Sequence, residues 1–432
     1  MSDEHQKPDE RIIPNSQYEG NVITVLNLSL VTFLILLGLS MVAPILPTYA
    51  ESFQVSYTLV GFVVSSFAVT RMFLDLPAGL LSRRFEKKRI MIFGLVLLST
   101  SSILAGLAPN YITLVIARMI EGVGSALYVT TATVFLAQIS GEEKRGQWMS
   151  LYLGMLLLGA IFGPTFGGIL ADTYDIRAPF FAYAIITGLA VLPTLTLPQL
   201  ASSGNGLSPL GIGGIVRDMR EVLSNPSFLM VTFAIFTMFF LRTGVRSTLV
   251  PLFAGNNLGL DSGAIGLVLT VGGLTTALTI TPIGSISDRI GRKIPLALCL
   301  VLTAGVTLAI PFSTDLLTLS VALAIYGAAI GLQGPSAAYA TDVSPQDKLE
   351  ISMGLYRTIS DFGFVVGPLL LGFLADITAT PVPGASHSGL IGTFPFVVAS
   401  IILLMAFLVL LRADDPARDR IQNDHRLSET LT

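Results

Sequence analysis

Twelve apolar stretches, each about as long as a bilayer is thick, constrain this chain more than any other feature. A spanning helix needs about 20 mostly apolar residues. Such stretches run near 22 to 46, 57 to 82, 90 to 108, 111 to 137, 148 to 171, 179 to 198, 227 to 253, 263 to 286, 294 to 312, 316 to 340, 351 to 375 and 393 to 412. Of the whole chain 52% is hydrophobic and only 12% charged, about half the charge of an average soluble domain, so lipid is the solvent for its body. The twenty residues before the first stretch mix acids with Pro8 and Pro14 instead of forming a short basic segment, so the first stretch reads as a retained helix and not a cleaved leader.

The same composition excludes several functions. A net charge of −3 leaves no basic surplus for nucleic acid. The one cysteine, Cys299, offers neither an internal disulfide nor a thiolate metal site, and His5, His387 and His425 fall near the termini or in a loop. No cofactor and no metal is therefore expected. No nucleotide cradle and no grouping of nucleophile, base and orienting residue occurs, which argues against ATP-driven pumping and against an enzyme.

Basic residues set the expected orientation. With a cytoplasmic N-terminus, 19 of the 25 lysines and arginines fall in cytoplasmic segments and one, Arg177, in the outer loops. The other five, Arg71, Arg118, Arg242, Arg246 and Arg357, lie inside spans. Such a bias predicts a multi-pass protein of the cell membrane with both termini cytoplasmic.

The second half repeats the first at an almost constant offset. Pro77, Gly79, Arg84, Lys88 and Gly122 match Pro282, Gly284, Arg289, Lys293 and Gly327 at 205 residues; Pro47, Gly163-Pro164 and Asp172 match Pro251, Gly367-Pro368 and Asp376 at 204. We therefore expect an all-α membrane protein of two parallel six-helix halves, with a substrate site between them at mid-membrane. Its parts are a cytoplasmic segment 1–21, a half 22–198, a Gly/Ser-rich linker 199–226, a half 227–412 and a polar tail 413–432.

The turn GSISDRIGRK, residues 284 to 293, carries the first specific motif. Gly284 permits a close helix contact, Gly291 a turn with positive φ, and Asp288 can offer its carboxylate to a neighbouring helix N-terminus. With Arg289, Arg292 and Lys293 this run resembles the G-x-x-x-D-R-x-G-R-K loop of the major facilitator superfamily, in which the neighbour is the fifth helix, here starting near Arg145. The first-half copy, GLLSRRFEKK, has Gly79 and Arg84 in place but Arg83 where the family has Asp. Two readings stand for Arg83: a partner for Asp347 or Glu350, or one more positive-inside anchor.

A second resemblance lies in the fifth span, where GAIFGPTFGG places Gly159, Gly163, Pro164, Gly167 and Gly168 on the pattern that marks the family's drug/proton antiporters. Small residues at this spacing clear a packing face and Pro164 kinks the helix. The resemblance implies alternating access and proton-coupled export of small organic solutes by a monomer in the lipid bilayer. Two alternatives remain: a facilitator or proton symporter for an anionic metabolite, and a transporter-like receptor or assembly component.

Charges inside the spans are the candidate machinery, because burying them is costly unless they face a cavity or a partner. ARMIEGVGSAL resembles a further family motif through Arg118 and Glu121. Arg118 lies about 12 Å along its helix from Asn110, and with Glu121 forms either coupling machinery or a neutral packing pair. Arg71 and Asp75, and Arg357 and Asp361, stand one turn apart. Asp75 reads as a gating acid near the cytoplasmic end and Asp361 as a proton carrier. These pairings leave Arg242 and Arg246 unmatched on one face of the seventh span, Arg242 toward the cavity and Arg246 toward either the cavity or lipid headgroups. The first span carries no acid, and a cavity with surplus positive charge favours anionic or zwitterionic solutes.

Overall fold

The computed structural model describes residues 22–140, 145–199, 212–381 and 389–418. The segment 1–21, much of the linker, most of the polar tail, the three histidines and the side chains of Arg83, Arg145 and Glu350 lie outside the described residues.

Among the described residues, eleven helices are long and apolar enough to cross a membrane. In chain order they are span 1 (Val22–Val42), span 2 (Tyr57–Arg84), span 3 (Lys87–Gly106), span 4 (Tyr111–Ile139), span 5 (Arg145–Thr173), span 6 (Ala178–Leu195), span 7 (Pro226–Asn256), span 8 (Ser262–Ile290), span 9 (Lys293–Phe312), span 10 (Leu316–Asp342) and span 11 (Leu349–Thr378). Phe394–Leu410, at 17 residues, is span 12. Their starts follow local chemistry. Ser56, Asn110, Asn225, Asp261 and Asp315 each accept the backbone N–H three residues on, satisfying a donor the helix itself leaves free. Inside the spans Thr32, Thr187 and Thr232 return their hydroxyls to carbonyls four residues back, as polar groups must where no water competes. Large apolar side chains such as Phe73, Ile112, Leu278 and Leu317 stay exposed on the bundle surface, which is where lipid lies.

The packing repeats with the sequence. Span 1 packs on spans 5 and 6, span 2 on span 4, and span 3 on spans 4 and 6. In the second half span 7 packs on spans 11 and 12, span 8 on span 10, and span 9 on spans 10 and 12. Between the halves, span 2 packs on span 11 and span 5 on span 8, two versions of one contact related by the pseudo-two-fold.

These interfaces are wedges. At the end of the bundle away from the termini, the Cα of Gly61 packs on the Pro368 carbonyl and that of Gly266 on the Pro164 carbonyl, where a Cβ would overlap the oxygen. Ser65 donates to the Val365 carbonyl at 2.7 Å and Thr165 to Thr270 at 2.7 Å. At the terminal end a Cβ on Gly154, Gly284 or Gly354 would meet nothing within 4 Å. The close contact expected at Gly284 is therefore absent: the space beside it is open. The linker also holds a helix not legible in its Gly/Ser content: Ile212–Leu223, tied to the start of span 11 by Lys348, which pairs with Glu221 and lies 3.9 Å from Asp218. A two-residue antiparallel pair, Thr380–Pro381 with Gly389–Leu390, closes the loop before span 12.

Candidate functional site

Span 7 departs from α-helical geometry where the charges sit. Over Arg242–Leu249 it is a π-helix, a form often found at functional positions. The residues explain the wider turn. Pro251 has no N–H to return to residue 247, while the Ser247 and Thr248 hydroxyls donate to carbonyls five residues back, at 3.2 and 2.9 Å.

This segment forms one wall of a cavity of about 240 Å³ between the halves, which Arg71, Arg118, Arg242, Arg246 and Asp361 all line. Arg242 is exposed to the cavity and its guanidinium lies 5.9 Å from the centre of the Phe364 ring. Arg246 donates to the Leu269 carbonyl on span 8 at 2.9 Å, so it turns inward and is no headgroup anchor. Arg118 pairs with Glu121 and lies 5.1 Å from the Phe67 ring centre. Glu121 is sealed behind it, 2% exposed, and lines neither this cavity nor the next.

A second cavity, of about 420 Å³, lies toward the terminal end and is lined by Asp75, Thr130, Arg357, Asp361 and Met219 of the linker helix. Asp361 lines both cavities. Arg71 joins the two acids: its Nη2 stands 3.8 Å from Asp361 Oδ1 and its Nε 3.6 Å from Asp75 Oδ2, while Thr130 donates to Asp75 Oδ1 at 3.2 Å. The expected Arg357–Asp361 pair is not formed. The Asp361 carboxylate instead reaches Arg71 on the other half, and Arg357 is exposed in the second cavity.

The motif residues take structural places around this site. Gly159 and Gly163 pack on span 1, where a Cβ would stand 2.6 Å from the Phe33 oxygen and 2.7 Å from the Leu37 oxygen. Gly167 meets the Met41 carbonyl, Gly168 faces Ser262 across the halves, and Pro164 lines the central cavity. Gly79 is loosely packed, with Thr130 Cγ2 3.7 Å from a Cβ there, and Arg84 and Arg289 are exposed. Gly291 adopts φ +95°, so only glycine fits the turn without strain. Asp288, whose side chain is 61% exposed, pairs with Arg292 at 2.5 Å, and Arg292 also approaches Asp342 at 3.5 Å. Asp347 stands 4.0 Å from Lys348; its expected pairing with Arg83 falls outside the described residues. One residue sequence reasoning missed is Asp415, which caps span 9 by accepting the Arg292 and Lys293 N–H groups at 3.2 and 3.1 Å. Lys293 Nζ clamps the same segment through the Leu411 and Ala413 carbonyls at 2.5 and 2.8 Å. Asp415 sits in the tail next to other acids, with no periodic signal to single it out.

A sequence model of the Major Facilitator Superfamily matches residues 28–255 and, overlapping, 231–430. The chain is 26% identical over 350 residues to an MFS-type transporter of Methanocaldococcus jannaschii, covering 80% of this chain and 89% of that one. It is 23% identical over 350 residues to multidrug resistance protein 2 of Bacillus subtilis, covering 80% and 87%. Among solved structures it resembles a bacterial homologue of the human lysosomal transporter Spinster at 17% identity and a TM-score of 0.72, covering 90% of this chain and 96% of that one.

Proposed function

Because the chain belongs to the Major Facilitator Superfamily and is a membrane transporter of small-molecule substrates, not an enzyme, we propose that it exports a small organic solute in exchange for protons. Alternating access of the central cavity carries the solute, and Asp361 carries the proton. The bias of basic residues to the terminal end puts that end in the cytoplasm, so the wedge described above is open inward. The two halves, 22–198 and 227–412, rock about the cavity as a monomer in the cell membrane, joined by the linker 199–226.

One observation carries the reading: Asp361 lines both cavities while bound to Arg71 of the opposite half. When Arg71 withdraws from the solute-free site, the carboxylate it leaves in poorly solvated surroundings takes up a proton instead of staying charged. Solute binding that returns Arg71 to Asp361 expels that proton, so the site carries one load or the other. Glu121, sealed behind Arg118, lacks this double access, so Arg118 and Glu121 support the cavity wall. The similarity to multidrug resistance protein 2 supports export. The surplus of arginines in the cavity favours a second reading, proton symport of an anionic metabolite.

Purified protein in liposomes tests both. With a pH gradient imposed, wild type concentrates a solute chosen from a charge-sorted ligand-stabilisation screen, and Asp361→Asn does not, while solute exchange without a gradient persists in both. Proton movement opposite to the solute supports antiport, and movement with it supports symport. Gradient-driven accumulation by Asp361→Asn removes Asp361 from the coupling role.

A further inference from the structure

The geometry points to an oxyanion-binding subsite in the second-half wall of the central cavity: Arg242 and Arg246 hold the carboxylate or sulfonate of an amphipathic organic anion whose apolar body lies against Phe364, Leu36 and Leu39. The proposal rests on the reading of this cavity as the transport site and is independent of the direction of transport.

The charges give the first argument. Four arginines and one carboxylate line the cavity. Arg118 is answered by Glu121, and Arg71 by Asp75 and Asp361. Among the described residues neither Arg242 nor Arg246 has a carboxylate within 4.0 Å, and no hydrogen bond engages the Arg242 guanidinium. Arg246 spends one N–H on the Leu269 carbonyl and keeps the rest of its five donors free. Two cations in a site ringed by apolar helices repel one another and lack bulk hydration, and a bound anion supplies what both are missing.

The mounting of the pair gives the second. Four residues apart on a π turn, Arg242 and Arg246 project to nearly the same side of span 7. Gly244 between them packs on the Gly367 backbone of span 11, where a Cβ would come within 2.7 Å of the Gly367 carbonyl carbon. That contact fixes the π segment, and the Phe364 ring steadies Arg242 from one face while leaving its N–H edge open. Two guanidinium forks held in this way are preorganised for an oxyanion. Leu36, Leu39 and Phe364 on the cavity lining fit an aromatic or short aliphatic body. A quaternary ammonium would meet two positive charges with no free acid to offset them.

The test is binding, measured calorimetrically on the full-length protein in detergent, with three probes of one shape: naphthalene-2-carboxylate, naphthalene-2-methanol and (naphthalen-2-ylmethyl)trimethylammonium. The carboxylate should bind at least about tenfold tighter than the alcohol, with affinity falling as salt rises, and the ammonium should bind weakest. Arg242→Gln and Arg246→Gln should each weaken the carboxylate by about tenfold and leave the alcohol within about twofold; Arg242→Lys, which keeps the charge and loses the fork, should fall between. An ammonium that binds as well as the carboxylate, no carboxylate binding at all, or carboxylate binding unchanged in Arg242→Gln overturns the proposal. Failure of the export reading would appear instead as charge-selective binding without any gradient-driven flux in liposomes.

Discussion

Asp172 does for span 8 what Asp376, 204 residues later, does for span 2. From the last turn of span 5, Asp172 accepts the backbone N–H of Ser262 at 3.0 Å and of Gly263 at 2.6 Å. From the last turns of span 11, Asp376 accepts the N–H of Tyr57 at 2.6 Å and of Thr58 at 2.8 Å, together with the Thr58 hydroxyl. Each carboxylate of one half thus sits on the positive end of a helix of the other half, at the end of the bundle that is closed. Opening that end must break both.

Neutralising these acids should favour the state open at the far end. An amide keeps one acceptor and loses the charge, a loss of about 1 kcal/mol per site, so Asp172→Asn or Asp376→Asn should raise the far-open population about fivefold and the double variant about twenty-five-fold. A cysteine at Thr243, on the cavity wall, reports this by its labelling rate with an impermeant maleimide added from the far side; the native Cys299 is buried and silent. Unchanged labelling in the double variant would show that the two carboxylates do not hold the gate.

The glycine contacts beside these acids should be equally sensitive. A Cβ at Gly266 would overlap the Pro164 carbonyl, and backbone cannot yield as a side-chain tip can. Gly266→Val should therefore raise far-side labelling of the same cysteine and slow transport at least tenfold, whereas Gly284→Ala, in open space, should leave labelling in the present state unaltered.

Asp75 and Asp361 share Arg71, yet only Asp361 lines both cavities. Asp75→Asn should keep gradient-driven accumulation, with its rate changed through the gate, while Asp361→Asn loses it. Equal loss in both variants, with exchange intact, would make the two acids one coupled carrier.

Asp315, in the loop before span 10, gives a pH signature outside the spans. The Thr318 backbone N–H and hydroxyl, at 2.8 and 3.0 Å, hold its carboxyl below its usual value of 3.8. A depressed folded value means the cap's contribution is complete above about pH 3.9 and is lost as pH falls through the folded value. Asp315→Ala should lower the melting temperature at pH 6, by an amount that shrinks progressively as the pH is taken below 3.8 toward the folded value. A difference between the two proteins that does not shrink with acid would count against the titration.

Hydropathy and the repeat made the twelve spans, their halves and the membrane environment legible, because apolar length is a local property that lipid reads directly. The same register matched Asp172 to Asp376 before any contact was known, and the excess of buried arginine over buried acid followed from counting. The partners did not follow. Spacing alone pairs Arg357 with Asp361, but the rotation of span 11 against span 2 gives Asp361 to Arg71. Glu121 and Asp361 look alike as acids in apolar helices, and packing alone seals one and places the other between two cavities. Sequence spacing fixes which residues share a helix face; which face meets which, and at which end the halves touch, depends on how whole helices dock, and that energy is spread over contacts hundreds of residues apart.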